Sequence, residues 1–390
     1  MQRTVYTTIN KIENPALRNV AEGLARLVLE NWLYILVFLL LWRFPYIVAS
    51  LSDTEVTPRR PTGDSVFWQS VMAQSLLIAS LSMSYNLLFG FSGIISFGHA
   101  LFFGAGGYVT FVVMSQVDGI SFYVAVIAAV LASILLSLVA GVVTLRLRGV
   151  YFTMFTLAFA EMFFVLAKSG TFRNITGAED GLLIRDLIPE ALNPTPTGDG
   201  SRLVMYRYTL IFFVIVFLAI RRYLNSPVGR VMLAIRENEE RARTIGYNTF
   251  RYKLITMVFA GVIACLTGIL LVLWSTDKRI KPDLLSLNYT VQPLLYTLIG
   301  GVGTLAGPVI SSLGLELGEA YLRDETLRIG SATYEIADLW DLFLGVLFVV
   351  VVMVLPNGIV GTWNRWWAER KVKRLEASMQ MQQKPPDSAS

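Results

Sequence analysis

The sequence predicts an all-α protein, a polytopic transmembrane helical bundle of about ten spans arranged as two inverted five-helix halves. Three observations predict it. The 390 residues are 54% hydrophobic and 16% charged, with a mean hydropathy of +0.57, whereas a soluble domain carries roughly 25% charged residues. Runs such as 211–220 and 346–355 contain no polar side chain, and about 20 such residues cross a hydrocarbon core of about 30 Å. Basic residues collect in alternate connections between the runs.

The spans fall near 32–51, 66–89, 98–116, 122–145 and 150–168, then near 205–222, 252–274, 284–301, 304–320 and 339–360. The first contains Arg43 and Pro45, and the stretch 284–320 is interrupted by Gly300, Gly301 and Gly303. Fusing that stretch would leave nine spans. With ten, 20 of the 33 basic residues lie on one side: before residue 32, at Arg146 and Arg148, from Arg221 to Lys253, and from Arg365 onward. Loops rich in Lys and Arg are cytoplasmic. Both termini are then cytoplasmic and 169–204 is periplasmic. The chain divides into an amino-terminal segment 1–31, a transmembrane domain 32–361 and a tail 362–390, whose Gln, Pro and Ser content predicts disorder. Residues 1–26 are polar and mixed in charge, which does not suit a cleavable signal peptide.

Two sets of five spans must run in opposite senses, as in inverted-repeat transporters. A weak internal echo accompanies the count. Gly90, Gly93, Gly98, Gly104, Gly106 and Gly107 crowd one stretch, and Gly300, Gly301, Gly303, Gly307 and Pro308 another. Glycine-broken spans point to a substrate path, and equally to close packing of helices.

The composition narrows the chemistry. A single cysteine, Cys265, and a single histidine, His99, argue against a disulfide, a metal cluster or any bound cofactor. The net charge of +5 reflects the loop bias and not a nucleic-acid partner. No G-x-x-x-x-G-K-[ST], H-E-x-x-H or G-x-S-x-G pattern occurs, so the chain reads as a transporter that borrows its energy, not as an enzyme.

Five segments carry a family resemblance: YNLLFGFSGIISFGHALFFGAGGY at 85–108, VYFTMFTLAFAE at 150–161, GRVMLAIRENEERARTIG at 229–246, LIGGVGTLAGPVI at 298–310 and LPNGIVG at 355–361. In this order they closely resemble the LivM-like permease subunit of bacterial ABC importers for branched-chain amino acids. That resemblance implies an inner-membrane permease paired with a second, LivH-like permease, two cytoplasmic ATPase subunits and a periplasmic solute-binding protein. Similar permeases carry urea or short amides, and a stand-alone secondary transporter is the alternative of a different class.

Within the basic connection, Asn238 suits a helix cap, Glu239 and Glu240 the first turn, and Gly246 the position after the last turn. A short helix near 237–247 follows. Glu240, Ala242 and Gly246 match the E-A-A-x-x-x-G loop that the resemblance implies for contact with the ATPase, with Arg241 in place of the first alanine. Candidates for the substrate path are Ser96, His99, Glu161, Gly301 and Gly303. His99 either lines the path or is a neutral imidazole satisfying a backbone group freed by a helix break. Glu161, about 17 Å into its span, is either functional or a hydrogen-bonded carboxyl holding two helices in register. Glu316 and Glu319 read as interfacial.

Overall fold

The structure, a computed structural model, describes residues 15–56, 63–147, 149–189, 192, 201–275, 277–323, 326–329 and 332–383. Each of the ten predicted stretches contains a helix. In chain order the helices are α1 (Pro15–Leu51), α2 (Asp64–Ser92), α3 (His99–Gln116), α4 (Phe122–Thr144), α5 (Val150–Lys168), α6 (Ser201–Leu224), α7 (Pro227–Glu237), α8 (Glu239–Thr244), α9 (Thr249–Trp274), α10 (Asn288–Gly300), α11 (Gly307–Leu322), α12 (Ile336–Val354) and α13 (Gly358–Gln383). A one-turn helix, Arg173–Thr176, several 3₁₀ turns and two small antiparallel ribbons complete the described residues. Strand β1 (Leu182–Leu183) pairs with β2 (Arg279–Ile280), and β3 (Thr326–Ile329) with β4 (Ala332–Glu335).

The chain separates into two units at Gln69 and Ser70. In the first, α1 carries Pro45 inside the helix, and Gln69 Nε2 donates to the Val56 carbonyl at 2.9 Å and to Ser65 Oγ at 3.0 Å.

In the second unit the connections meet at two ends. At one end, segments around Gly93, Gly149 and Glu239 line a common cleft. A Cβ on Gly303 would lie 2.8 Å from an Arg236 guanidinium nitrogen, and one on Gly301 3.0 Å from the Asn357 carbonyl. At the other end β1 pairs with β2, Gln116 donates to Asn174 O at 3.4 Å and Arg202 donates to Ser70 Oγ at 2.6 Å. Helices α2–α6 and α9–α12 therefore run alternately from one end to the other.

Seven helical stretches among the described residues have the length and apolarity to cross a membrane. Those predicted near 98–116, 284–301 and 304–320 are not among them. Helices α3, α10 and α11 have 18, 13 and 16 residues, or roughly 27, 20 and 24 Å at 1.5 Å per residue. The stretch from 284 begins not as a helix but with a 3₁₀ turn, Pro282–Leu285. Within the predicted tail, the described residues form a helix that runs from Gly358 to Gln383. Its Lys, Arg, Glu, Ala, Met and Gln residues are strong helix formers, and low hydrophobicity alone hid that. Residues 384–390 lie outside the described residues.

Small residues let the central helices touch backbone to backbone. A Cβ on Gly106 would run into the Cys265 carbonyl, and one on Gly268 into that of Phe103, so α3 and α9 lie in direct contact. Ser133 donates to the Gly261 carbonyl at 3.0 Å, tying α4 to α9. Trp274 Nε1 donates to Thr209 Oγ1 at 2.9 Å, tying α6 to α9.

Candidate coupling and translocation site

Helix α7 starts at Pro227, whose missing N–H is one the first turn leaves unpaired anyway. Ser226 Oγ accepts from Gly229 N–H at 3.2 Å. Met232 and Ile235 face inward and pack with Ala242 of α8, against Val231 and Tyr252. Asn238 closes α7 and opens α8, its Oδ1 accepting from Arg241 N–H at 2.8 Å. Helix α8 ends in a Schellman motif: Tyr247 N–H donates to Ala242 O at 3.1 Å and Gly246 N–H to Arg243 O at 3.0 Å. Gly246 has a φ of +95°, a region that a side chain resists.

One carboxylate orients this short helix. Glu239 Oε1 accepts from the Arg243 guanidinium at 2.7 Å and the Thr249 hydroxyl at 3.0 Å, while Oε2 pairs with Lys253 Nζ at 2.7 Å. Partial burial pushes the Glu239 carboxyl upward. The Lys253 ammonium, the Thr249 hydroxyl and the Arg243 guanidinium outweigh that and hold it below its ordinary value. Ala242 is thus buried and Glu239 anchored, whereas Glu240, Arg241 and Gly246 are exposed. Glu240 and Arg241 make no side-chain ion pair among the described residues. The helix is held from behind and presents its outer face. Beside it opens the cleft of about 680 Å³, lined by Gly93, Phe97, Gly149, Thr153, Glu240 and Arg243 among others.

The candidate path residues divide. Ser96 is buried and its hydroxyl accepts from Gly98 N–H at 3.3 Å. His99 is fully buried, with Nε2 2.8 Å from Ser84 Oγ and its ring edge-on to Tyr85 and Phe102. The backbone groups freed by the break are taken up elsewhere. Phe97 N–H donates to Thr156 Oγ1 at 3.2 Å and Ala100 N–H to Thr290 Oγ1 at 2.8 Å. His99 Nδ1 has no partner among the described residues.

Gly303 N–H donates to Asn86 Oδ1 at 3.0 Å, and Asn86 Nδ2 donates to the Thr304 carbonyl at 2.8 Å. A Cβ on Gly90 would sit 2.6 Å from Gly303 N. Gly90 and Gly303 are therefore neighbours, whereas Gly104 and Gly107 of the first cluster face Leu285 and Leu284 of the 3₁₀ turn after β2. Gly301, with a φ of +124°, and Gly303, with +74°, shape the turn from α10 to α11.

Glu161 is half-buried on α5 and forms no hydrogen bond or ion pair among the described residues. It does not join the group around His99 through any bond. Glu316, expected at an interface, accepts from Gln292 Nε2 at 2.7 Å and Tyr296 O–H at 2.9 Å, which holds it between α10 and α11. Sequence reasoning missed Asn86, Thr156 and Thr290, and placed Glu239 in the first turn of α8 without its anchoring role. Only Glu239 left a local signal, its four-residue spacing from Arg243; the others bond across 59 to 218 residues of chain.

Hydroxyl and amide groups inside, apolar side chains outside, and glycine-broken helices at the centre define a multi-pass α-helical membrane protein of transport type. The chain belongs to the family described as branched-chain amino acid transport system / permease component, which matches residues 68–352. It is similar to the high-affinity branched-chain amino acid transport system permease protein LivM of Salmonella typhimurium, 26% identical over 326 residues, covering 76% of this chain and 72% of the relative. The probable LivM of Methanocaldococcus jannaschii is 25% identical over 72% of this chain and 89% of its own length. A LivH permease of Salmonella typhimurium is also similar, at 23% identity over 73% of this chain and 91% of its own. No solved structure matches the chain.

Proposed function

We propose that this chain is a translocation subunit of an ABC importer in a bacterial inner membrane, carrying branched-chain amino acids. It pairs with a LivH-like permease, two cytoplasmic ATPase subunits drive it, and a periplasmic binding protein feeds it. Ten spans in two inverted sets of five, with both termini cytoplasmic, put α7 and α8 on the ATPase side. Helices α10 and α11 are short and α3, at 18 residues, is less apolar than the other crossing helices, so the span count rests on their stacking with the connections that flank them. The observation that carries the reading is α8. It is a capped helix fixed to the membrane part by Ala242 and Glu239, with Glu240 and Arg241 turned outward on a motif that the family places at the ATPase.

A coupling helix must be rigid toward the membrane part and open toward its partner, and α8 is both. Gly246→Val forces a side chain into left-handed backbone at a cost of about 1 kcal/mol, with open space around it. In the reconstituted importer, Gly246→Val and Glu240→Ala are expected to leave membrane expression normal and to abolish most binding-protein-stimulated ATP hydrolysis and leucine uptake. Normal stimulated hydrolysis and uptake in both variants would remove the coupling role. Uptake by the purified chain alone, driven by an ion gradient, would make it a secondary transporter. Uptake of urea or acetamide in place of leucine would change the substrate and leave the importer reading intact.

A further inference from the structure

Helix α13 has no part in that reading, yet it carries an unusual surface. Its start is fixed by the bundle. Leu355 N–H donates to Val351 O and Gly358 N–H to Leu355 O, both at 2.7 Å, and a Cβ on Gly358, whose φ is +69°, would collide with Gly301. From Trp363 onward the side chains leave the bundle: Trp363 is 59% exposed, Trp366 40% and Trp367 54%. The three indoles are mutual neighbours, with ring centroids 5.5 Å apart for Trp363 and Trp366 and 6.0 Å for Trp366 and Trp367.

At 100° per residue, Ile359, Val360, Trp363, Trp366 and Trp367 fall within a stripe of roughly 120°. One turn later the same stripe turns basic, with Arg370 and Lys371. The acidic Glu369 points away from it and pairs with Arg365 at 3.6 Å. The Arg370 guanidinium lies 3.4 Å over the Trp366 ring. That stacking uses the faces of both groups and leaves the N–H edge of the guanidinium free, and no carboxylate meets it among the described residues. The helix thus follows a crossing helix and shows apolar indoles first, then cations on the same side.

We propose that residues 358–371 lie in the bilayer interface and hold an anionic phospholipid, its phosphate on Arg370 and Lys371 and its upper acyl chain against Trp363, Trp366 and Trp367. Indoles settle at the boundary of hydrocarbon and headgroups. A guanidinium stacked on one of them stands at phosphate height with donors arranged for two phosphate oxygens. Juxtamembrane cations select anionic lipid over zwitterionic lipid. The site is independent of the solute carried and of the ATPase contact.

The full chain in nanodiscs, with tail-brominated phosphatidylglycerol or phosphatidylcholine at equal mole fraction, tests the proposal through quenching of tryptophan fluorescence. Brominated phosphatidylglycerol is expected to quench roughly twofold more than phosphatidylcholine, given the attraction between juxtamembrane cations and anionic lipid. Arg370→Gln with Lys371→Gln, which keeps every indole, should equalise the two lipids. The triple Trp363→Phe, Trp366→Phe, Trp367→Phe chain should lose the difference as well. An elution profile matching that of the unsubstituted chain would show that it is folded. Equal quenching by both lipids in the unsubstituted chain would overturn the site. So would removal of the difference by millimolar inorganic phosphate, which would make it a free-phosphate site. An emission shift on adding ATPase subunits, with no lipid dependence, would assign the surface to the ATPase instead.

Discussion

Helices α2 and α5 invert the rule that holds in water. The most apolar 18-residue window of α2 has a hydropathy of 1.3 and is 89% buried, whereas that of α5 has 1.8 and is 22% buried. Helix α2 buries Ser75, Ser80, Ser82, Ser84 and Asn86 completely, while α5 turns Tyr151, Met154 and Val165 outward. Lipid tails are as apolar as leucine, so burial yields little for α5 and its face remains outside. A hydroxyl or amide has no partner in lipid and must find one within the protein. Those serines and Asn86 do: Ser82 with Ser312 at 3.1 Å, Ser84 with His99, Asn86 with Gly303 and Thr304, and Ser80 with its own Leu76 carbonyl at 2.9 Å. The centre of the bundle is thus organised by polar and small residues, and its perimeter by apolar ones.

The comparison can be broken most severely at the close backbone contacts that bring the central helices together. Gly268→Val drives a side chain into the Phe103 carbonyl and is expected to cost about 3 kcal/mol or more. Size-exclusion chromatography in detergent should show mostly aggregated protein, and a monodisperse variant would mean that α3 and α9 can part freely. Asn86→Leu makes α2 more apolar and should nonetheless destabilise by about 2 kcal/mol, because the Gly303 N–H and Thr304 carbonyl lose their partner. A lowered thermal unfolding midpoint in detergent is the expected reading; a raised one would show that polarity inside α2 is incidental.

Smaller effects sharpen the contrast. Ser84→Ala removes one interhelical bond and should cost about 0.6 kcal/mol, the average for such bonds in membrane proteins. The matched change on α5, Val165→Ala, is expected to shift the midpoint less still, since lipid fills the space left. A larger loss at Val165 than at Ser84 would place α5 against protein in the isolated chain.

The smallest effect concerns α8, outside the spans. Glu239 is held below its ordinary value of 4.5, so its pairing is fully present above that pH and fades as pH falls through the lower folded value. Amide exchange over 239–247, corrected for the intrinsic rate, should therefore be flat from pH 8 to 5 and rise only in stronger acid. Glu239→Gln should abolish that step. A rise already at pH 6 would assign the docking of α8 to another group.

Much of this was legible in the chain. Long apolar runs located the seven helices able to cross a membrane, since a bilayer demands length and apolarity in consecutive residues. Asn238, Ala242 and Gly246 revealed α8 because caps act over a few residues. The glycine stretches were seen but their relation was not, for contact between Gly90 and Gly303 spans more than two hundred residues. The late start of α10 was hidden by Leu284, Leu285 and Leu287, which continue its apolar composition into the 3₁₀ turn before it.

By itself, the sequence determined that this protein lives in a membrane as many helices, what family it belongs to, and where α8 begins and ends. These follow from composition and local spacing, which transfer free energies and short-range hydrogen bonds dictate. Only the tertiary structure decided that α2 is the buried centre, that threonines and not His99 satisfy the break before α3, and that Glu239 fixes α8. Each of those depends on which polar group finds a partner across the bundle, and in a medium without water that choice is made by packing.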